Sequence, residues 1–269
     1  MMTNYKLIIR YDGTGYRGWE HQPGEDKTIQ GKMETAVIRM LNPSGLKENS
    51  QDGAAKSDCL GTFEGDIPDI ISAGRTDGGV HALAMCANVR LDTKLSCKEI
   101  RDGINRNLPD DICVTDVSVA GDRFHARYNA KGKTYRYTCY AGELKPVFNR
   151  RFCYELGKVP DIEAMKKAAS IIEGEHDFTS FCGNPRMKKS CVRCVDKITI
   201  EYKDEYLTFT YHGNGFLQYM VRIMTGTLLE VGQGKRSVES VAELFETLDR
   251  SNAGFTAPAR GLALVEVDY

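Results

Sequence analysis

Apolar and polar positions along the chain fall into two rounds of strand and helix signals. Tyr5 to Tyr11 (Y-K-L-I-I-R-Y) is rich in β-branched and aromatic residues and stops at Asp12-Gly13, which predicts a strand followed by a turn. From Thr28 the apolar positions Ile29, Met33, Val37 and Met40 recur every three or four residues, as on one helix face. Met85 to Leu91 reads as a further strand. Ser96 with Glu99 three residues later forms a capping box ahead of Ile100, Ile104 and Leu108, predicting a second helix.

The second round opens with Lys133 to Tyr140, where Tyr135, Tyr137 and Cys139 share one face and Arg136 and Thr138 take the other. Pro160 and Asp161 begin a helix with Ile162, Met165, Ala169 and Ile172 inward and Gly174 near its end. Ile198 to Thr210 is predicted to be a hairpin turning at Lys203-Asp204-Glu205. Phe216 to Val231 and Ser237 to Leu248 are read as the last helices, and Gly261 to Tyr269 as the final strand. This alternation suggests two α+β halves, 1–118 and 119–269, joined near residues 115 to 125. Residues 43 to 68 carry little periodicity, many small polar residues and several acids, and read as an exposed insertion in the first half.

Composition narrows the class. With 269 residues, 41% hydrophobic and 27% charged, the chain suits one large or two ordinary globular domains. No run approaches the roughly 18 apolar residues of a membrane helix, and the start lacks the pattern of a signal peptide, so a cytoplasmic protein is expected. Nine scattered cysteines lack the density of a secreted disulfide scaffold. The formal charge of −1 argues against a uniformly basic coat, but the cations cluster. Arg123, Arg127, Lys131, Lys133 and Arg136 are interleaved with Phe124, Tyr128, Tyr135 and Tyr137, while Arg186, Lys188, Lys189 and Arg193 form a second group. Such runs are commonly solvated faces; mixed with aromatics they also suit RNA backbones and unstacked bases.

The stretch S-A-G-R-T-D-G-G-V-H-A at 72 to 82 places one carboxylate, Asp77, among glycines and beside Arg75. Asp-Gly by itself signals a tight turn. The alternative is a nucleophile: glycines let a bulky substrate approach, and a carboxylate kept ionised by a cation can attack carbon. Asp77 and His81 are four apart, but so glycine-rich a stretch is not helical, and that spacing does not make a metal pair. His176, Cys182, Cys191 and Cys194 contain one C-x-x-C without a second, and a zinc site there would require a turn at 191 to 194, since in a strand residues three apart point to opposite faces. Arg222 stands in an otherwise apolar stretch, G-N-G-F-L-Q-Y-M-V-R-I-M, and either snorkels outward or points inward toward a carboxylate, for which Asp77 is a candidate.

Taken together these stretches resemble the TruA family of tRNA pseudouridine synthases. The resemblance rests on Y-D-G-T-G-Y-R-G-W at 11 to 19, T-I-Q-G-K-M-E at 28 to 34, A-G-R-T-D-G-G-V-H-A at 73 to 82 and R-F-H-A-R at 123 to 127. It continues with K-T-Y-R-Y at 133 to 137, H-D-F-T-S-F at 176 to 181, G-N-G-F-L-Q-Y-M-V-R at 213 to 222 and T-A-P-A-R-G-L at 256 to 262. It implies an α+β fold of two similar halves with antiparallel sheets joined around a basic central cleft, and a homodimer that binds tRNA. The implied reaction isomerises uridine to pseudouridine, typically at positions 38, 39 and 40 of the anticodon stem-loop, with no cofactor and no metal. A same-fold synthase with another RNA target and a catalytically silent RNA-binding protein are the alternatives.

By the same resemblance Asp77 is the nucleophile, Tyr135 stacks on the base and assists removal of the C5 proton, and Arg222 pairs with the reacting carboxylate. Arg75 helps to displace the target nucleotide from its stack. Arg123, Arg127, Lys133 and Phe216, with Arg75 and Tyr135, make up the implied RNA-binding set. The chain departs from the family pattern in the acidic 43 to 68 insertion, in Gly78 where alanine is common, and in Cys191 and Cys194 where threonine is usual.

Overall fold

The computed structural model describes residues 2–22, 24–42, 67–184 and 186–269; all but the last two residues of the insertion read at 43 to 68 lie outside these. The chain divides into two compact units, Met1–Ala130 and Lys131–Tyr269. Both mix helices with mainly antiparallel strands. Among the described residues no helix is long and apolar enough to cross a membrane.

The first unit contains β1 (Thr3–Tyr11), α1 (Ile29–Leu41), β2 (Ile71–Ser72), β3 (His81–Leu91), α2 (Cys97–Asn105) and β4 (Ile112–Val119). β1 lies between β4 and β3, antiparallel to both, and β2 adds to β3. Tyr5, Leu7, Ile9 and Tyr11 alternate inward along β1, which is the period-2 pattern the sequence shows. Thr28 caps α1 by accepting from the Gly31 amide, and the Ser96–Glu99 capping box forms at α2 in both directions. The apolar faces of the helices (Met33, Val37, Ile100, Ile104) are wholly buried.

The second unit contains β5 (Gly132–Tyr140), β6 (Tyr154–Glu155), α3 (Ile162–Ile172), β7 (Gly174–Asp177), β8 (Val192–Lys203), β9 (Tyr206–Gly213), α4 (Met220–Gly232), α5 (Leu244–Thr247) and β10 (Leu262–Asp268). Its strand order is β10-β5-β9-β8-β7, antiparallel throughout, with β6 parallel to β5. The β8–β9 hairpin turns at Asp204 and Glu205, both with positive φ (50° and 66°), the backbone a two-residue primed turn requires. Asp161 caps α3 through the Ala164 amide.

Two expected helices are corrected. The helix read from Phe216 starts only at Met220, because Asn214 stays tied to Cys194 of β8 in both directions and Tyr219 adopts φ 60° just before the helix. Residues 237 to 248 do not form one helix but a 3-10 turn at Glu239–Val241 and the single turn α5. Ser237 and Ser240 bond each other's backbone, Leu248 is left-handed, and few apolar side chains (Val241 and Leu244 wholly buried) anchor the stretch.

One titratable device in the second unit is testable. His212 on β9 bridges Asp196 on β8 (Nδ1 to Oδ2, 2.7 Å) and Asp268 on β10 (Nε2 to Oδ2, 3.0 Å). The hydrogen bond to Asp268 raises the imidazole above its ordinary value, Asp196 adds to this, and partial burial opposes it. A raised value means that the stabilisation is complete below the unfolded value of about 6.5 and is lost as pH rises through the folded one. The ring is 39% exposed, so solvent screening limits the pair to about 1 kcal/mol or less. His212→Asn is expected to lower the melting temperature at pH 6 and to have little effect at pH 9, as thermal unfolding across that range will show.

Candidate active site

Asp77 is a half-buried residue held from both sides along its backbone. It forms an isolated antiparallel bridge with Gly18 in the loop after β1. Next to it, the Trp19 amide donates to the Thr76 carbonyl (3.0 Å), and the Gly79 amide donates to the Tyr16 carbonyl (3.2 Å). The Tyr11 hydroxyl meets Thr76 Oγ1 at 2.7 Å inside the core. Each such bond contributes roughly 1 kcal/mol net, but together they leave residues 76 to 79 little freedom to move. Trp19, buried to 2% exposure and 6.1 Å from the Tyr11 ring, anchors the opposing loop.

The tight turn that Asp77-Gly78 signals does form. The Val80 amide closes a four-residue turn onto the Asp77 carbonyl (3.1 Å), with Gly79 at φ 80° where a type II turn requires it. This is not a simple hairpin, because the limb carrying Thr76 and Asp77 pairs with Gly18 and Trp19. His81 faces another way: its Nδ1 accepts from the Gly13 amide and lies 3.1 Å from Asp12 Oδ1. Arg75 is exposed and ion-paired with Glu20. That pairing is not legible in the sequence, since residues 55 apart meet only through the Gly18 bridge.

The basic segment 121 to 127 is fixed to the same unit's sheet. Asn4 donates to the carbonyls of Gly121 (3.0 Å) and Phe124 (2.9 Å), Asn88 donates to Asn4, and the Ala126 amide donates to Asn88 (2.8 Å). These two buried asparagines tie down the backbone from which Arg123 and Arg127 stand exposed, with the Tyr128 ring tilted against His125 at 4.2 Å and 78% exposed. Asn88 could have been suspected from sequence as a polar residue inside the strand read from Met85 to Leu91, whereas Asn4 precedes the strand read from Tyr5.

In the second unit Tyr135, Tyr137 and Cys139 do share the inner face of β5. Tyr137 is a core residue: its hydroxyl donates to the Pro258 carbonyl (2.8 Å), and burial pushes its pKa far up. Tyr135, at the start of the row, packs edge to face with Phe216 at 5.2 Å. Lys133 is half-buried near the beginning of the strand, while Lys131 and Arg136 are exposed. Arg222, near the start of α4, neither lies flat on the surface nor sits bare in the core. Its Nε donates to the Ala257 carbonyl (2.7 Å), and its guanidinium lies 5.0 Å from the centre of the Tyr219 ring. The left-handed Tyr219 that delays the helix thus also places this ring beneath the cation. Arg186, Lys188 and Lys189 are exposed, and Arg193 is drawn back to the carbonyls of Ser190 and Val192.

Comparison with known proteins decides the family. A family model described as tRNA pseudouridine synthase matches residues 7–129 and 168–269. A protein of Bacillus sp. (strain KSM-64) named tRNA pseudouridine synthase A is 41% identical over 268 residues, covering all of both chains. Proteins of the same name from Acetivibrio thermocellus (39%) and Thermoanaerobacter sp. (strain X514) (35%) also align over the full length of both chains. The chain belongs to the tRNA pseudouridine synthase family. Within that family's matched region fall Asp77, Arg75, Arg123, Arg127, Phe216 and Arg222, whereas Lys133 and Tyr135 lie in the interval that the model leaves unmatched.

As a member of the pseudouridine synthase family the chain can be probed at its two adjacent glycine positions. A Cβ on Gly18 would stand 2.7 Å from the Thr76 carbonyl oxygen, at a φ of 113° that side chains rarely adopt. On Gly78 it would meet nothing nearer than 3.4 Å. Gly18→Ala is expected to cost roughly 2–4 kcal/mol in urea unfolding and to disable the Asp77 loop. Gly78→Ala is expected to be neutral or stabilising by up to about 1 kcal/mol.

Proposed function

We propose that this chain isomerises uridine to pseudouridine in tRNA, at positions 38, 39 and 40 of the anticodon stem-loop, with Asp77 as the nucleophile. The observation that carries the reading is the clamp on Asp77, the residue that opens a glycine turn and whose backbone is bridged to Gly18 between the Thr76–Trp19 and Gly79–Tyr16 hydrogen bonds. The loop and its clamp lie inside the family match, and the full-length relatives named tRNA pseudouridine synthase A support tRNA as the substrate.

In this reading the carboxylate forms a transient bond to the extruded nucleoside, at the ribose C1′ or on the uracil ring. The N1–C1′ bond breaks, the base turns, and a C5–C1′ bond forms; the proton on C5 leaves and N1 gains one, so the product is an isomer and nothing is consumed. Tyr135 stacks on the base and assists departure of the C5 proton, and its edge-to-face contact with Phe216 supports that placement. Arg222 favours the ionised carboxylate. Arg75 helps to displace the target nucleotide, while Arg123, Arg127 and Lys133 hold phosphates. The family resemblance extends the reading to a cytoplasmic homodimer that works without cofactor or metal.

Isomerisation releases tritium from tRNA carrying 5-tritiated uridine. Asp77→Asn, which keeps the size of the side chain and removes its charge, is expected to lower release on the order of 10³-fold or more while tRNA binding persists. Full activity would refute the assignment. Wild-type affinity for tRNA is expected to fall steeply as salt is raised from 50 to 200 mM, because phosphate contacts release counterions. A flat response in a filter-binding series would remove Arg123, Arg127 and Lys133 from the RNA track.

A further inference from the structure

Arg75, assigned above to the target nucleotide, is already engaged in the protein without RNA. Its Nη2 is ion-paired with Glu20 Oε1, and both side chains are substantially exposed, at 60% and 42%. The contact is prepared by the backbone on each side. Glu20 follows the buried Trp19, whose amide is bonded to Thr76 and whose carbonyl accepts from Gln30 (2.9 Å). It precedes His21, whose amide donates to Gln30 Oε1 (3.1 Å) and whose Nδ1 lies 2.7 Å from the buried carboxylate of Glu34 on α1. Arg75 is adjacent to Thr76, which the Tyr11 hydroxyl and the Trp19 amide hold. Neither partner rides on a wandering loop. The same loop also supplies a carboxylate to a second arginine, Glu25 to Arg17 at 3.4 Å.

A carboxylate and a phosphodiester ask the same thing of a guanidinium: two oxygens on the N–H fork. We propose that Glu20 is an affinity-setting residue of the enzyme, an internal anion that occupies Arg75 until an RNA phosphodiester displaces it. This inference rests on the reading that Arg75 contacts RNA. Binding then exchanges one ion pair for another. RNA that fails to present a phosphate at that point meets a neutralised arginine, so the pair suppresses non-specific capture at a small cost in affinity for the target. The cost is small because ion pairs this exposed are weak.

The test is a double-substitution cycle on the full chain, measuring dissociation constants for an anticodon stem-loop RNA by fluorescence anisotropy at fixed salt. Glu20→Gln is expected to tighten binding about three- to fivefold, the range open to an exposed pair. Arg75→Ala is expected to weaken it several-fold. In the Arg75→Ala background Glu20→Gln is expected to change nothing, because the arginine it restrained is gone. Three results would overturn the proposal. If Glu20→Gln leaves wild-type binding unchanged or weaker, Glu20 does not compete with RNA. If it tightens binding equally with and without Arg75, it merely repels RNA by its charge. If Arg75→Ala binds like wild type, the assignment of Arg75 itself fails, and tritium release by the wild type tells this apart from failure of the catalytic reading. Matched thermal melts show that each variant is folded, with Glu20→Ala as a second substitution should the glutamine variant prove unstable.

Discussion

The backbone pairing of Gly18 with Asp77 is the constraint on which the rest depends. A carboxylate next to a glycine-rich turn would ordinarily sample many orientations, and a nucleophile so placed loses the advantage of a fixed approach. Here the loop after β1 is laid antiparallel to residues 76 to 79, bridging Gly18 to Asp77 and bonding the Trp19 amide to Thr76 and the Gly79 amide to Tyr16. Only a residue without a side chain permits so close an approach at position 18, at φ 113° and within reach of the Thr76 carbonyl. Gly18 of Y-D-G-T-G-Y-R-G-W and Gly79 of R-T-D-G-G therefore serve one structure, although they lie about 60 residues apart in the chain.

The same economy appears in the basic segments. Asn4 and Asn88, buried in β1 and β3, spend their side chains on the backbone of 121 to 126, so that Arg123 and Arg127 start from fixed positions. Arg222 is oriented by a carbonyl and an aromatic ring within its own unit. Cations held in this way lose less conformational entropy when they meet an anion, which favours the reading of an RNA-binding surface over a solvated face. Glu20, sharing its loop with Gly18, gives that loop a further part in setting how tightly RNA is held.

Much of this was legible in the sequence where local chemistry decides the outcome. Thr28, Ser96 and Asp161 cap helices in the places their side chains announce, and the alternation of β5 gives its buried face correctly. Prediction failed where distant residues overrule the local pattern. The apolar run after Phe216 has helical spacing, yet ties to β8 and the left-handed Tyr219 delay the helix to Met220. The stretch after Ser237 has helix formers but too few buried anchors to make one helix. In the site, the residue types of Asp77 and Arg222 drew notice as anomalies, whereas the ion pair of Arg75 with Glu20 could not, since neither residue is unusual in its own surroundings.

Amide hydrogen exchange at Trp19 tests the central claim most directly, because that amide donates to Thr76 beside Asp77. If the clamp is a rigid part of the fold, this amide exchanges only when the unit unfolds, at a free energy matching the slowest amides of β1 and β3. Exchange as rapid as that of a surface loop would mean that Asp77 is not held, and the account of a positioned nucleophile would be contradicted.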